Sequence, residues 1–231
     1  MPSKALIILE TPWWPPDVNR GRASVLPFFQ GLVNYVEHFS VYHSNFYERE
    51  GFKVALNDDL THTKEDRLYI YIAAHGGSSM IGGMGNCTGV NLTTVLSEIG
   101  NATREKNIEG VIIGSCNIGG KVDNFKQVLI GTRIPWIFGY TCEIDWMTST
   151  LIDLAIFENM TTIRSADLNS RTKIINAFVH SLKRFDGDFI IGRKEGREIA
   201  LKNAITLVVK PRGRGNVSQE DTKELTDLLG W

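Results

Sequence analysis

The chain has 231 residues, of which 42% are hydrophobic, so it can build one sizeable core, and we expect a single domain over residues 1–231. Its 25 Lys and Arg nearly balance its 26 Asp and Glu, and the formal net charge of −1 gives no general argument for nucleic acid or a charged membrane surface, so we expect neither as a partner. No run approaches the roughly 18 apolar residues of a membrane-spanning helix. The short N-terminal apolar run is interrupted by Glu10, unlike a secretory leader, so the sequence predicts a cytoplasmic protein.

Short apolar runs rich in β-branched or aromatic residues predict strands that are buried on both faces, as in a parallel sheet covered by helices. In chain order these runs are Ala5–Leu9, Phe39–Tyr42, Leu68–Ala74, Gly110–Gly114, Ile134–Gly139 and Ile205–Val209. Apolar stripes at helical spacing predict helices at Ser24–His38, Asn91–Thr103, Val122–Ile130, Asp145–Met160, Thr172–Phe185 and Ser218–Leu229. The alternation predicts an α/β fold with a mostly parallel central sheet flanked by helices.

Two of these predicted helices have a recognisable first residue. Ser24 and Asp145 are good N-caps, because their side-chain oxygens can accept a hydrogen bond from the first helical turn. In the helix that follows Asp145, we expect Met147 and Leu151 to lie on the buried side, together with Leu154, Ile156 and Phe157.

The three cysteines of the chain are Cys87, Cys116 and Cys142. An odd and sparse set argues against a disulfide framework. No CxxC pair or close Cys/His cluster suggests a metal site, and we expect neither a metal nor an organic cofactor. Free cysteines are often inert and buried, so a reactive thiol needs support from its surroundings.

Two predicted strands end in residues that can carry chemistry. The run Leu68–Ala74 is followed by His75 and two glycines, and the run Gly110–Gly114 is followed by Ser115 and Cys116. Ligands of open α/β sheets bind outside the carboxyl ends of the strands. If the two strands are neighbours, the imidazole and the thiol meet at this edge.

This pair suits nucleophilic catalysis. A cysteine attacks as the thiolate, a nearby imidazolium lowers its pKa, and the histidine can then protonate a leaving amine. A tetrahedral intermediate also needs backbone N–H donors for its oxyanion. The N–H groups of Gly76 and Cys116 are the candidates, because a glycine lets the backbone approach a substrate closely.

A strand followed by His-Gly and, about forty residues later, a strand followed by Cys and glycine resembles the caspase-like cysteine peptidases. This group includes caspases, metacaspases, legumain, clostripain, separase and the bacterial CHAT peptidases, and the small bacterial members are most similar. The resemblance implies a three-layer fold, a His75–Cys116 dyad and hydrolysis of peptide bonds in a protein substrate. It also implies control by an activating partner, by cleavage or by dimerisation, in regulated proteolysis such as bacterial defence or cell death.

The signature around the cysteine departs from three members of the group. The Gln-Ala-Cys-Arg-Gly of animal caspases is absent, and Gly114 stands where legumain-like and clostripain-like proteins carry an acid two residues before the nucleophile. Aspartate specificity therefore does not follow from the resemblance, which is to the fold and dyad of the group.

Three residues are candidates for substrate binding. Glu143 and Asp145 lie where the group builds part of its pocket, and a carboxylate there would pair with a basic substrate residue. Asp145 is equally well read as an N-cap, and Glu143 as a solvated side chain. Arg22, or its neighbour Arg20, follows the first strand, where caspases draw an arginine that binds aspartate. The sequence leaves basic and acidic preferences open.

Other readings remain beside the peptidase. A caspase-like protein without activity would be a binding or scaffold protein with an ordinary, unreactive Cys116. The cluster Gly82–Gly85 superficially suggests a nucleotide-binding loop, but it does not join a strand directly to a helix. The basic stretch Lys210–Gly215 is typical of a solvated loop.

Overall fold

Five parallel strands form the centre of the molecule, and four of them contain a short run of buried apolar residues. The computed structural model describes residues 2–14, 23–77, 79–83 and 88–231. The principal strands and the helices between them, in chain order, are β1 (Lys4–Glu10), α1 (Leu26–Tyr35), β2 (Phe39–Asn45), α2 (Arg49–His62), β3 (Arg67–Ala73), the two-residue strands β4 (Gly76–Gly77), β5 (Met80–Ile81) and β6 (Val90–Asn91), α3 (Leu92–Ala102), β7 (Ile108–Gly114), α4 (Val122–Gly131) and β8 (Trp136–Tyr140).

The second part of the chain adds helices and antiparallel strands. These elements are β9 (Glu143–Ile144), α5 (Trp146–Met160), α6 (Arg171–Leu182), β10 (Ile190–Lys194), β11 (Arg197–Ala200), the single turn α7 (Leu201–Ala204), β12 (Ile205–Val209), β13 (Gln219–Glu220) and α8 (Thr222–Leu229).

The main sheet has the strand order β13-β12-β8-β7-β3-β1-β2. Strands β8, β7, β3, β1 and β2 are parallel, and β12 and β13 are antiparallel additions at one side. From β1 the chain first adds β2 on one side and then β3 on the other. This reversal places the topological switch point between β1 and β3, where open α/β sheets leave a crevice at the carboxyl edge.

Helices cover both faces of the sheet, which gives the predicted three layers. Alternate residues of one strand face opposite layers: Tyr69 and Tyr71 of β3 pack with α1, α5 and α6, whereas Ile70 and Ile72 pack with α2, α3 and α4. The fold class predicted from the sequence is therefore confirmed. None of the helices in the described part of the chain is long and apolar enough to cross a membrane.

Two sequence predictions about helices need correction. Helix α1 begins after Val25, and the Ser24 hydroxyl donates to Glu10 instead of forming a standard N-cap. In α5, Met147 and Leu151 are 43% and 45% exposed, because the helix turns Ile152 and polar residues toward the sheet. Asp153, whose surroundings are described below, is one of the polar residues on this buried side.

Candidate active site

The imidazole and the thiol lie at equivalent ends of neighbouring strands. Strands β3 and β7 pair in parallel, with Ala73 opposite Gly114, so His75 and Cys116 each lie two residues beyond a paired strand end. Both side chains are partly buried at the carboxyl edge of the sheet. The two strands are adjacent, as the sequence predicts.

Gly76 is packed against the backbone of Cys116. A Cβ atom added to Gly76 would lie 2.4 Å from the carbonyl oxygen of Cys116 and 2.8 Å from its nitrogen. Such distances exclude any side chain without a shift of backbone. The glycine after the histidine is therefore required by close approach of the two strand-end segments. The next glycine, Gly77, has no such neighbour among the described residues.

Backbone N–H groups surround the sulfur. The N–H of Ile144 donates to Cys116 Sγ at 3.4 Å, and the N–H groups of Gly76 and of Cys116 itself also face the sulfur, where all three lower its pKa. Three donors from three segments thus converge on one point. They can stabilise negative charge on the sulfur or on an oxyanion formed beside it.

Burial affects the pKa of the thiol more than these donors do. It raises the pKa of the Cys116 thiol above its ordinary value, and the nearby Glu143 carboxylate raises it further. No hydrogen bond joins the thiol to His75, both of which the structure describes. Burial is thus the largest influence on the thiol pKa in this structure, and it acts against the lowering that the sequence predicts from a nearby imidazolium.

His75 is fixed by a tryptophan of the segment after β1. Its Nε2 lies 2.6 Å from the carbonyl oxygen of Trp13, and the two rings meet edge to face with centroids 5.3 Å apart. A carbonyl oxygen only accepts hydrogen bonds, so Nε2 carries the proton. The basic nitrogen of the neutral ring is then Nδ1, and no hydrogen bond from the described residues occupies it.

The turn after the thiol follows the end of β8. Asn117 has a left-handed backbone (φ 61°), and its N–H donates to the Cys142 carbonyl at 3.0 Å. A Cβ added to Gly119 would lie within 2.9 Å of the backbone of Gly139 and Tyr140. The glycine in the Cys-Asn-Ile-Gly motif is therefore needed where the chain crosses its neighbouring strand.

A buried carboxyl group explains the glycine before the cysteine. A Cβ at Gly114 would lie 2.6 Å from the Tyr71 ring and 3.1 Å from Asp153 Oδ2, so these side chains fill the space. Burial raises the pKa of Asp153 to about 7, although hydrogen bonds from the hydroxyls of Tyr140 and Tyr71 lower it. The Tyr140 hydroxyl donates to Asp153 at 2.7 Å. The sequence did not reveal this cluster, because Asp153 lies in an otherwise apolar helix.

The predicted substrate-binding residues have different surroundings. The Oδ1 of Asp145 accepts from the N–H and the hydroxyl of Thr148 at 2.9 and 2.7 Å, so it is the N-cap of α5. Glu143 is exposed in β9, next to the thiol. Arg22 and Arg20 lie outside the described residues.

A small antiparallel sheet, β9-β10-β11, lies beside the thiol and was not predicted. Gly192 of β10 pairs with Ile144, and a Cβ on this glycine would lie 2.0 Å from the Glu143 carbonyl oxygen. Asp145 also donates its N–H to the Ile191 carbonyl at 2.9 Å. The β10–β11 hairpin therefore holds the backbone that carries one of the donors to Cys116.

The other cysteines are weaker candidates for a nucleophile. Cys142 is fully buried, and burial, followed by the neighbouring Cys116, raises the pKa of its thiol to about 11. Cys87 and part of the cluster Gly82–Gly85 lie outside the described residues. Among the described residues, no group of three or more His, Cys, Asp or Glu side chains could hold a metal ion.

Comparison with solved structures identifies the fold. A secreted C11 cysteine protease from Bacteroides thetaiotaomicron aligns over 98% of this chain and 69% of its own, with 14% identity and a TM-score of 0.56. The same protease in complex with an irreversible peptide inhibitor gives a TM-score of 0.50, with 12% identity over 97% of this chain and 67% of its own. Caspase-1 from Spodoptera frugiperda gives 0.53, with 13% identity over 89% of this chain and 86% of its own.

The chain thus has a caspase-like fold, and the structures it is similar to include cysteine proteases. No protein-family model and no curated protein sequence matches it. At these identities the likeness concerns the fold, and the chemistry must be argued from the residues themselves.

Proposed function

We propose that this protein is a cysteine endopeptidase in which Cys116 is the nucleophile and His75 the general acid and base. The observation that carries the proposal is the convergence of three backbone N–H groups on the thiol at the end of β7, beside a histidine whose tautomer is fixed. A merely structural cysteine does not need such a set of donors.

The geometry supports a reaction in two halves. As the substrate carbonyl carbon bonds to Sγ, the thiol proton passes to Nδ1 of His75, and the N–H groups of Gly76 and Cys116 stabilise the oxyanion. Collapse breaks the peptide C–N bond, and His75 gives its proton to the leaving amine. His75 then takes a proton from water, which attacks the thioester and releases the acid, and returns it to the sulfur.

A raised thiol pKa agrees with controlled activity. Burial disfavours the thiolate of Cys116, so a substrate or partner that changes the surroundings of the sulfur would favour attack. We therefore propose control by an activating protein partner, and we carry a role in regulated proteolysis such as bacterial defence or cell death as part of the proposal.

Glu143 is the carboxylate that we propose for binding a substrate side chain. It is exposed and lies near the thiol, whereas Asp145 uses one oxygen to cap α5. A carboxylate at this position favours Lys or Arg before the cleaved bond. Arg22, if it contributes, would favour an acidic residue there. The residue that the protein prefers before the cleaved bond therefore distinguishes a pocket formed by Glu143 from one formed by Arg22.

The test uses peptidyl aminomethylcoumarin substrates that differ only in having Lys, Arg, Asp or Asn before the scissile bond. We expect cleavage of the basic members, abolition by Cys116→Ala, and a rise in KM for basic members with Glu143→Gln. Unchanged cleavage in Cys116→Ala would end the dyad assignment. A preference for Asp would shift the pocket role from Glu143 to Arg22.

A non-catalytic binding protein is the second candidate, and the raised pKa of Cys116 favours it. A peptidyl acyloxymethyl ketone ending in lysine separates the two, because it alkylates a cysteine only where the residue attacks a bound carbonyl compound. Labelling of Cys116, with Cys142→Ala as the control for the second thiol, supports the peptidase. No labelling and no cleavage would support the binding protein.

A further inference from the structure

We propose that Glu10 is the positioning residue for His75, acting through the indole of Trp13; this rests on the proposed function of His75. Glu10 is the last residue of β1, paired with Ala73 at the end of β3, and is only 2% exposed. It therefore lies at the switch point of the sheet, one strand away from the segment that carries the histidine.

The carboxylate of Glu10 accepts four hydrogen bonds. Oε1 accepts from Trp13 Nε1 at 2.6 Å and from the Val25 N–H at 2.9 Å. Oε2 accepts from the Ser24 hydroxyl at 2.5 Å and lies 2.8 Å from His43 Nε2. Hydrogen bonds to a buried carboxylate are short and strong, so the group fixes each of its donors firmly.

Trp13 connects this carboxylate to the histidine. Its indole N–H is held by Glu10 while its own carbonyl oxygen accepts from His75 Nε2 at 2.6 Å. The segment is also tied to the sheet by the Thr11 N–H, which donates to the Ala73 carbonyl at 3.0 Å, and the Trp13 ring packs edge to face against Trp146. The indole hydrogen bond is the contact that links the orientation of Trp13, and with it the direction of the imidazole, to the Glu10 carboxylate.

The consequence for catalysis concerns the tautomer of His75. With the Trp13 carbonyl in place, Nε2 keeps its proton and Nδ1 is the nitrogen that exchanges a proton with the thiol and the amine. Without it, the ring can rotate and both tautomers are populated. Proton transfer to a leaving amine is then impaired, although the thiol and its N–H donors remain in place.

The substrates of the test separate proton transfer from nucleophilic attack. Nα-benzyloxycarbonyl-lysine is used as the p-nitroanilide, whose leaving amine needs a proton, and as the p-nitrophenyl ester, whose leaving phenolate does not. For Glu10→Ala and Trp13→Phe, we expect kcat on the anilide to fall about 10- to 100-fold. This is part of the rate enhancement of about 10²- to 10⁴-fold that a positioned acid–base group supplies. The burst rate of acylation by the ester should fall less than kcat on the anilide, because the ester needs His75 only to take the thiol proton, whereas the anilide also needs it to protonate the leaving amine.

Conservative variants complete the test. Glu10→Gln can keep a carbonyl oxygen toward Trp13 and Val25, so it should retain most of the anilide activity. In the double variant of Glu10→Ala and Trp13→Phe the losses should not add, because both remove the same hydrogen bond. Asp59→Asn is the matched control outside the path to His75. It alters a buried carboxyl group of α2 that accepts a hydrogen bond from Ser44 of β2.

A readout that needs no substrate keeps the proposal testable if the protein is inactive. In ¹⁵N-histidine NMR spectra, with His75 assigned through His75→Gln, the wild type should show the Nε2–H tautomer, and Trp13→Phe and Glu10→Ala a mixture. Equal losses on anilide and ester, additive losses, or an unchanged tautomer in folded variants would overturn the role of Glu10. Absence of both activities in the wild type would instead refute the proposed function, while the NMR result still decides the role of Glu10.

Discussion

Replacing Gly76 by alanine tests the close approach on which the site depends. The added methyl would lie 2.4 Å from the Cys116 carbonyl oxygen and 2.8 Å from its nitrogen, while carbon contacts are optimal at about 3.5 Å, so the two segments must separate by about 1 Å. Overpacking of this kind costs about 1 to 3 kcal/mol of stability. A displacement of about 1 Å at a reacting centre can reduce the rate about 100-fold.

Gly77→Ala is the matched control for this substitution. No atom of the described residues lies within 4 Å of the methyl that it would add, and its backbone is not left-handed. We expect Gly76→Ala to reduce kcat on peptidyl coumarins about 100-fold while Gly77→Ala retains activity, with unfolding in urea measured for both. Similar activities of two folded variants would refute the argument that the Gly76 backbone helps to form the site.

Three further predictions concern charges near the site. Because burial raises the pKa of Cys116, the rate at which iodoacetamide alkylates the free protein should increase with pH, with a midpoint above 9.0. Mass spectrometry measures the alkylated fraction, and a rate that is already constant below pH 7 would contradict this. Folding raises the pKa of Asp153 from 3.8 to about 7. Between these pH values the folded protein keeps a proton on Asp153 that the unfolded chain has released. The stability of the folded state therefore falls as the pH rises through this window. The loss, up to about 4 kcal/mol, should disappear in Asp153→Asn when urea unfolding is compared at pH 4 and pH 8. Asp145→Ala should cost about 1 kcal/mol in the same assay, and Asp145→Ser, which keeps a cap, much less; equal losses would argue against the cap.

The sequence predicts the parallel sheet and its chemical edge well, for a physical reason. Strands such as Ile108–Gly114 are buried on both faces, so they appear as continuous apolar runs, and the residues that follow them must lie at one edge. His75 and Cys116 could be identified because each follows such a run. The roles of these residues stay predictions until the variants are measured.

Other features depend on tertiary contacts and left weak signals. Helix α2 (Arg49–His62) was not predicted, because its buried Phe52, Leu56 and Leu60 are separated by many polar residues. The two-residue strand Glu143–Ile144 forms only because it pairs with the distant β10–β11 hairpin, and no local sequence pattern predicts it. The raised pKa of Cys116 likewise follows from burial, which a motif does not report.

The pairing of β9 with β10 has a consequence for the time at which the site is completed during synthesis. The N–H of Ile144 reaches the thiol from a strand that residues 190–200 hold in place, more than seventy positions after Cys116. A nascent chain that ends before this hairpin contains both His75 and Cys116 but lacks the support for one of the three donors. Because chains emerge from the ribosome N-terminus first, the nucleophile of this protein gains its full surroundings only when most of the chain has been made.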